Sequence, residues 1–114
     1  MNTQAQTNLP VVLFNGTVAT TNGVYSVKDI GVEKAKEYVN AYGFESAIGH
    51  SATAQVMSEL LEQDVQVNRI QYHQAVGQIG IALKLNERPP EGNILNREEM
   101  ERVGYSLKII ERHE

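Results

Sequence analysis

The chain has 114 residues and no cysteine. That excludes a disulfide framework and thiolate chemistry, and it fits a reducing compartment. No apolar run approaches the roughly 20 residues needed to span a bilayer, and the start of the chain lacks a signal-peptide pattern. The expectation is a cytoplasmic protein with no membrane partner. Positive charge is also scarce: 10 Lys and Arg stand against 14 Asp and Glu, a net charge of -4. General affinity for DNA or other nucleic-acid backbones relies on excess Lys and Arg, so it is not expected. A small anionic ligand in a locally basic pocket, or a protein partner, remains open. The glycines form neither a dinucleotide fingerprint nor a phosphate loop with its lysine. Ser106 and the serines near His50 lack the strand–turn–helix elbow of a serine hydrolase. His73 and His113 stand far from other ligand types, and no histidines are paired, so neither a metal site nor a cofactor is expected.

What is present reads as one small α+β domain over residues 9–114, preceded by a polar, disordered tail over residues 1–8. Leu9 to Phe14 is a continuous apolar run ending in Asn15-Gly16, a buried strand followed by a turn. Thr17 to Gly23, rich in Thr, Asn and Gly, reads as a loop, and Tyr25 to Val27 as a short strand. Val32, Ala35, Val39 and Tyr42 share one helical stripe that Gly43 ends. A second helix starts near His50 and buries Val56, Met57, Leu60 and Leu61. Ile70 and Tyr72 alternate with Arg69, Gln71 and His73 as a further strand, and Gln74 to Gln78 is a hairpin turn. Ile79, Ile81, Leu83 and Leu85 alternate as a half-buried strand. Pro89-Pro90 stiffens the next loop. Asn96 and Glu99 resemble a capping box for a short helix through Val103, which Gly104 ends. Tyr105, Leu107 and Ile109 mark a last strand. The sum is a mixed sheet of about five strands flanked by helices.

The densest chemistry lies in Ile48-Gly49-His50-Ser51-Ala52-Thr53. First-turn backbone N–H groups of a helix lack intrahelical partners and carry partial positive charge, so they attract anions. An imidazole at that mouth can exchange a proton with whatever they hold. The plainer reading makes His50 a capping or packing residue. Arg88-Pro89-Pro90-Glu91-Gly92 is a second candidate. Its prolines restrict Arg88 and Glu91 relative to each other, which suits a phosphate clamp. An ordinary surface ion pair, contributing about 0–1 kcal/mol, is the alternative. Arg69 either reaches a ligand or sits as a solvated rung of a sheet.

Taken in order, several motifs resemble the small viral ring-nuclease family of type III anti-CRISPR proteins and its YddF-like relatives in bacteria and prophages. They are Leu13-Phe14-Asn15, then Ser46-Ala47-Ile48-Gly49-His50-Ser51-Ala52-Thr53, then Val67-Asn68-Arg69, then Arg88-Pro89-Pro90-Glu91-Gly92-Asn93-Ile94-Leu95. The intervals from His50 to Arg69 and from Arg69 to Arg88 are equal and look like the family's own. The resemblance implies a two-fold homodimer, open to higher assembly, that binds cyclic tetra-adenylate or a related cyclic oligoadenylate across its axis. It implies metal-independent cleavage, in which a ribose 2′-hydroxyl attacks the neighbouring phosphorus and leaves a 2′,3′-cyclic phosphate. His50 would protonate the departing 5′-oxygen, Arg88 would stabilise the phosphorane charge and Glu91 would support the geometry. Asn15, Thr17, Gly49, Ser51, Thr53, Asn68 and Arg69 would bind ligand, and the loop from Thr17 to Gly23 would close over it. Archaeal-virus members of that family carry a serine where alignment puts Val18. Thr17 and Thr20 carry hydroxyls nearby but stand out of register. The implied activity is anti-defence, with a sponge that holds a cyclic nucleotide signal intact as its rival.

Overall fold

The computed structural model describes residues 9–16, 22–85, 98, 102 and 104–114. Its elements run β1 (Val11–Phe14), β2 (Tyr25–Ile30), α1 (Val32–Tyr42), β3 (Phe44–Ala47), α2 (Ser51–Leu61), β4 (Ile79–Leu85) and β5 (Tyr105–Arg112). The strands form one five-stranded sheet in the order β2-β5-β4-β1-β3. β1 pairs in parallel with both β3 and β4, whereas β5 runs antiparallel to β4 and β2. The expected α+β class with a mixed sheet is therefore the observed one.

β1 is buried at all its positions because it is covered on both faces, which is what its unbroken Val-Val-Leu-Phe run requires. Val11 and Leu13 point to the helical layer with Ile81, Leu83, Leu107 and Ile109, against Ala35 and Val39 of α1 and Met57, Leu60 and Leu61 of α2. Each such side chain contributes about 1.5–3 kcal/mol when fully buried. Val12 and Phe14 point the other way, into a smaller cluster with Ala47, Ala82 and Ile110 that Tyr25 and Tyr72 flank. α1 ends where expected: Gly43 adopts φ 75 and its N–H donates to the Val39 carbonyl. α2 ends at Glu62, itself left-handed at φ 55, and the Glu62 carboxylate meets the Lys36 ammonium of α1.

One strand differs from the sequence reading. The segment around Ile70 and Tyr72 joins no sheet, and its place among the five is taken by Phe44–Ala47, which lies directly between the two helices in the chain. Residues 64–75 instead cross the molecule without regular structure. Their backbone and side chains find other partners: the Asn68 N–H reaches the Ile48 carbonyl, and the Gln74 amide donates to the Gln78 and Ile110 carbonyls. Tyr72 turns inward, edge-on to Phe14, while Gln71 and His73 stay exposed. From Gln71 to Gln74 this in–out alternation imitates a strand without any ladder bonds, but Ile70, expected on the buried side with Tyr72, is 50% exposed. β2 extends to Ile30, further than Tyr25 to Val27, because all six of its residues pair with β5. The turn near Gly77 is present, with Gly77 at φ 85. Glu98 and Arg102, the described residues of the expected late helix, are helical. Its Asn96–Glu99 cap lies outside the described residues, as do the tail over 1–8 and the loop residues 17–21. No helix among the described residues is long and apolar enough to cross a membrane.

Candidate functional site

Because β1, β3 and β4 are mutually parallel, their carboxyl ends share one edge of the sheet. Ligands of open sheets bind in crevices outside such ends. Asn15 and Gly16 leave β1 there, and Ile48 to His50 leave β3 there and lead directly into α2. In sequence, Arg88 and Glu91 follow the end of β4 by three and six positions. Arg88, Glu91 and Thr17 lie outside the described residues.

His50 occupies the N-cap position of α2, with extended backbone at φ -124 and ψ 129. Its side chain makes no cap hydrogen bond, and it is exposed. Neither a capping nor a packing role accounts for it. Its carbonyl accepts the first helical bond, from the Ala54 N–H at 3.0 Å. The first turn of α2 carries no acidic residue, unlike that of α1, which has Glu33. The partial positive charge of the α2 N-terminus is thus not answered by an acidic residue of its own first turn. Ser51 is exposed on the first helical residue, and Thr53 is half-buried two positions on.

Two loops meet this turn. From β1, the Asn15 Oδ1 accepts a hydrogen bond from the Gly49 N–H at 3.3 Å. From the irregular segment, the Arg69 Nη2 donates to the Gly49 carbonyl at 3.2 Å. Gly49 is needed for that approach: a Cβ there would stand 3.2 Å from Arg69 Nε and 3.3 Å from its Cγ. Arg69 is exposed, so its guanidinium is a solvated cation held beside the helix mouth. Asn68 donates from Nδ2 to the Ser46 carbonyl at 2.9 Å. Asn15, Gly49, His50, Asn68 and Arg69, widely separated in sequence, are therefore one connected surface, with Ser51 and Thr53 on the adjoining helical turn.

Sequence reasoning assigned no role to Ser46, yet its hydroxyl donates to the Gln66 carbonyl at 2.6 Å and accepts from the Ile48 N–H at 3.2 Å. It also missed the polar knot beneath the sheet. The Gln78 Nε2 donates to the Tyr72 hydroxyl at 2.9 Å, and that hydroxyl donates to Glu45 at 2.7 Å. Burial pushes the Tyr72 phenol above its ordinary value, the Gln78 donor works against that, and the Glu45 carboxylate adds to it. No alternation pattern distinguishes a tyrosine so placed from a core aromatic. An open groove of about 710 Å³ runs along α2 and residues 62–67, and it shares Ser51 with the surface around His50. Among the described residues, no three His, Asp or Glu side chains gather as a metal-binding group would.

A family model described as STIV B116-like matches residues 11–107. The chain belongs to the STIV B116-like family. That match begins at β1 and reaches into β5, so it takes in every loop that meets at His50. Among its relatives, protein 26 of Sulfolobus islandicus filamentous virus is 33% identical, over 77% of this chain and 75% of that protein. Protein ORF117 of Acidianus two-tailed virus is 38% identical, over 77% and 78% respectively. YddF of Bacillus subtilis is 28% identical, over 91% of this chain and 98% of its own. The structure of B116 from Sulfolobus turreted icosahedral virus superposes with a TM-score of 0.71. It covers 90% of this chain and 98% of that one at 18% identity, a likeness of fold. STIV B116-like proteins thus occur in archaeal viruses and have a bacterial relative.

Proposed function

We propose that this protein is a metal-independent ring nuclease that binds and cleaves a cyclic oligoadenylate messenger, cyclic tetra-adenylate first among them. The observation that carries this reading is the exposed imidazole of His50 at a helix whose first turn carries no acidic residue, with the Arg69 guanidinium on the neighbouring Gly49 carbonyl. Phosphates would sit against the first-turn N–H groups of α2 and the Arg69 cation. The ribose 2′-hydroxyl gives up its proton to solvent water and attacks the adjacent phosphorus as the bond from phosphorus to the 5′-oxygen breaks. His50 in its imidazolium form delivers a proton to that oxygen. The products are linear and end in a 2′,3′-cyclic phosphate. Arg88 would neutralise the phosphorane and Glu91 would hold the site's geometry. A two-fold homodimer would present the same groups to both halves of a ring with its own two-fold repeat. Such an enzyme, acting in the cytoplasm of an infected cell or a prophage host, would silence the type III CRISPR response that the ring activates.

A second reading is favoured by one residue. Val18 stands where the resembled archaeal-virus proteins carry a serine, and without that hydroxyl the same surface would serve as a sponge that holds the ring uncut. The test is incubation with cyclic tri-, tetra- and hexa-adenylate in the presence of chelator, with products resolved by chromatography and mass. The nuclease reading expects linear di-adenylate with a cyclic phosphate from the tetramer. It also expects His50→Ala to keep binding and lose turnover by about 10²-fold or more. Intact ring co-eluting with the protein would establish the sponge. Cleavage by His50→Ala at the wild-type rate would remove His50 from the chemistry.

A further inference from the structure

Among the described residues β3 is the outermost strand on its side of the sheet, so one row of its backbone carbonyls has no neighbouring strand there. Unpaired carbonyls at a sheet edge ordinarily go to water or to another chain. Here Asn68 takes them. Its backbone N–H donates to the Ile48 carbonyl at 2.8 Å, and its Nδ2 donates to the Ser46 carbonyl at 2.9 Å. The two acceptors are two residues apart, the period at which carbonyls repeat along one edge of a strand. One asparagine therefore supplies both rungs that a sixth strand would have offered, at the point where β3 gives way to the turn carrying His50.

Two further bonds tie the same segments together, and a third braces the turn itself. The Ser46 hydroxyl donates to the Gln66 carbonyl at 2.6 Å, the Ile48 N–H donates to the Ser46 hydroxyl at 3.2 Å, and Arg69 donates to the Gly49 carbonyl at 3.2 Å. From the inner side, the Ile48 side chain is fully buried in the core. The turn is thus gripped from both sides two residues before His50, whose own side chain makes no hydrogen bond to the clamp. We propose that Asn68 is a positioning residue: it fixes the orientation of His50, and of Arg69 next to it in sequence, and its amide is not spent on ligand. One of the two Asn68 Nδ2 hydrogens already has an acceptor in the protein, the Ser46 carbonyl, which gives this amide a structural task that a direct phosphate contact would not.

The kinetic part of the test rests on the ring-nuclease reading. Full-length Asn68→Ala would be measured in single-turnover cleavage of cyclic tetra-adenylate and in equilibrium binding of the same ring. A misplacement of about 1 Å in a catalytic group can lower a rate about 10²-fold. The expected result is a cleavage rate reduced by about 10- to 100-fold with Kd changed by less than about threefold. Ser46→Ala, which loosens the same clamp and leaves both carbonyls in place, is expected to shift the rate in the same direction by less. An unchanged rate with a weakened Kd would overturn the proposal and make Asn68 a ligand contact. A second arm needs no activity. The chain has three histidines, and selective isotope labelling resolves them by NMR. Asn68→Ala and Ser46→Ala should shift and broaden the His50 signals and leave those of His73 and His113 in place. His50 signals superimposable on wild type in both variants would overturn the positioning role whether or not the wild-type protein cuts the ring. A wild-type protein inert toward every ring but showing the His50 change would defeat the nuclease reading and leave the clamp standing.

Discussion

Gly80, the second residue of β4, offers the sharpest quantitative test of the packing. A Cβ built there would lie 2.9 Å from Phe14 Cε2, 3.3 Å from Phe14 Cδ2 and 3.2 Å from Gln74 Oε1. None of these can retreat easily. Phe14 is 5% exposed and set edge-on to Tyr72. Gln74 is 2% exposed, and its Nε2 is fixed by two carbonyls. Its Oε1 is buried and has no hydrogen-bond partner among the described residues, so pressing on it adds no new bond. In an unstrained strand, alanine in place of glycine stabilises by about 0.4–1 kcal/mol through the unfolded chain. Overpacking a filled interior costs about 1–3 kcal/mol. The overpacking wins, so Gly80→Ala should destabilise by about 0.5–2 kcal/mol net, a fall of about 2–10 °C in Tm for a domain of this size. Calorimetry or circular dichroism would read it. The same substitution in a Phe14→Leu background, where the offending ring atoms are gone, should lose most of its penalty, giving a coupling of about 1 kcal/mol in the double-mutant cycle. A Gly80→Ala protein that melts at or above wild type would refute the reasoning, as would a penalty that survives unchanged in the Phe14→Leu background.

Three other outcomes are expected. Gly49→Ala should leave folding stability within about 0.5 kcal/mol, because the exposed Arg69 side chain can swing aside; its displacement should weaken binding of cyclic tetra-adenylate about tenfold, the loss of one charged hydrogen bond, and an unchanged Kd would count against Arg69 as a ligand group. Ser58→Ala removes the hydroxyl that accepts from the Val65 N–H at 3.0 Å and donates to the Ala54 carbonyl at 2.8 Å. It should cost about 1–3 kcal/mol in urea unfolding, and a cost near zero would show that α2 does not depend on that tie. Because the folded protein holds the Tyr72 proton more tightly than the unfolded chain does, the stability from this group is complete below pH 10.0 and lost as pH rises through the higher folded value. Absorbance titration of the chain's five tyrosines should therefore show a late-ionising fraction that Tyr72→Phe removes.

Legibility in the sequence followed how local each cause was. α1 was readable because its stripe and its stop, Gly43, lie within the element itself, and β1 because burial on both faces leaves an unbroken apolar run. β3 was not. It is short, two of its residues, Glu45 and Ala47, have poor strand propensity, and the segment is a strand only because β1 lies alongside it. The Ile70–Tyr72 alternation misleads because tertiary cover copies the period of two at Tyr72 and Gln74 without the ladder, while Ile70 stays half exposed. At the site, the special residue types were legible: Gly49 before His50, Arg69 after Asn68. Their connection was not, since the bonds joining them end on backbone carbonyls, which every sequence possesses. Ser46 and Asn68 announced a hydroxyl and an amide but not their partners. The expected roles of Arg88, Glu91 and Thr17 rest on sequence alone.

The parallel strands explain why so few side chains suffice to build this surface. β1 and β3 deliver their loops to the same edge in register, Phe14 opposite Ala47, so the next residues, Asn15 and Ile48, start out side by side. A single bond from the Gly49 N–H to Asn15 then fixes how the loops face each other. On the far side β3 has no strand to steady it, and the Asn68–Arg69 segment supplies that support with hydrogen bonds to the Ser46, Ile48 and Gly49 carbonyls. These bonds consume polar groups of the clamp while the His50 imidazole stays exposed and makes no cap hydrogen bond. A histidine needed only for stability would be expected inside that network. Its position outside it, at the mouth of α2 where no acidic first-turn residue answers the helix charge, is the observation on which the proposed role of His50 rests.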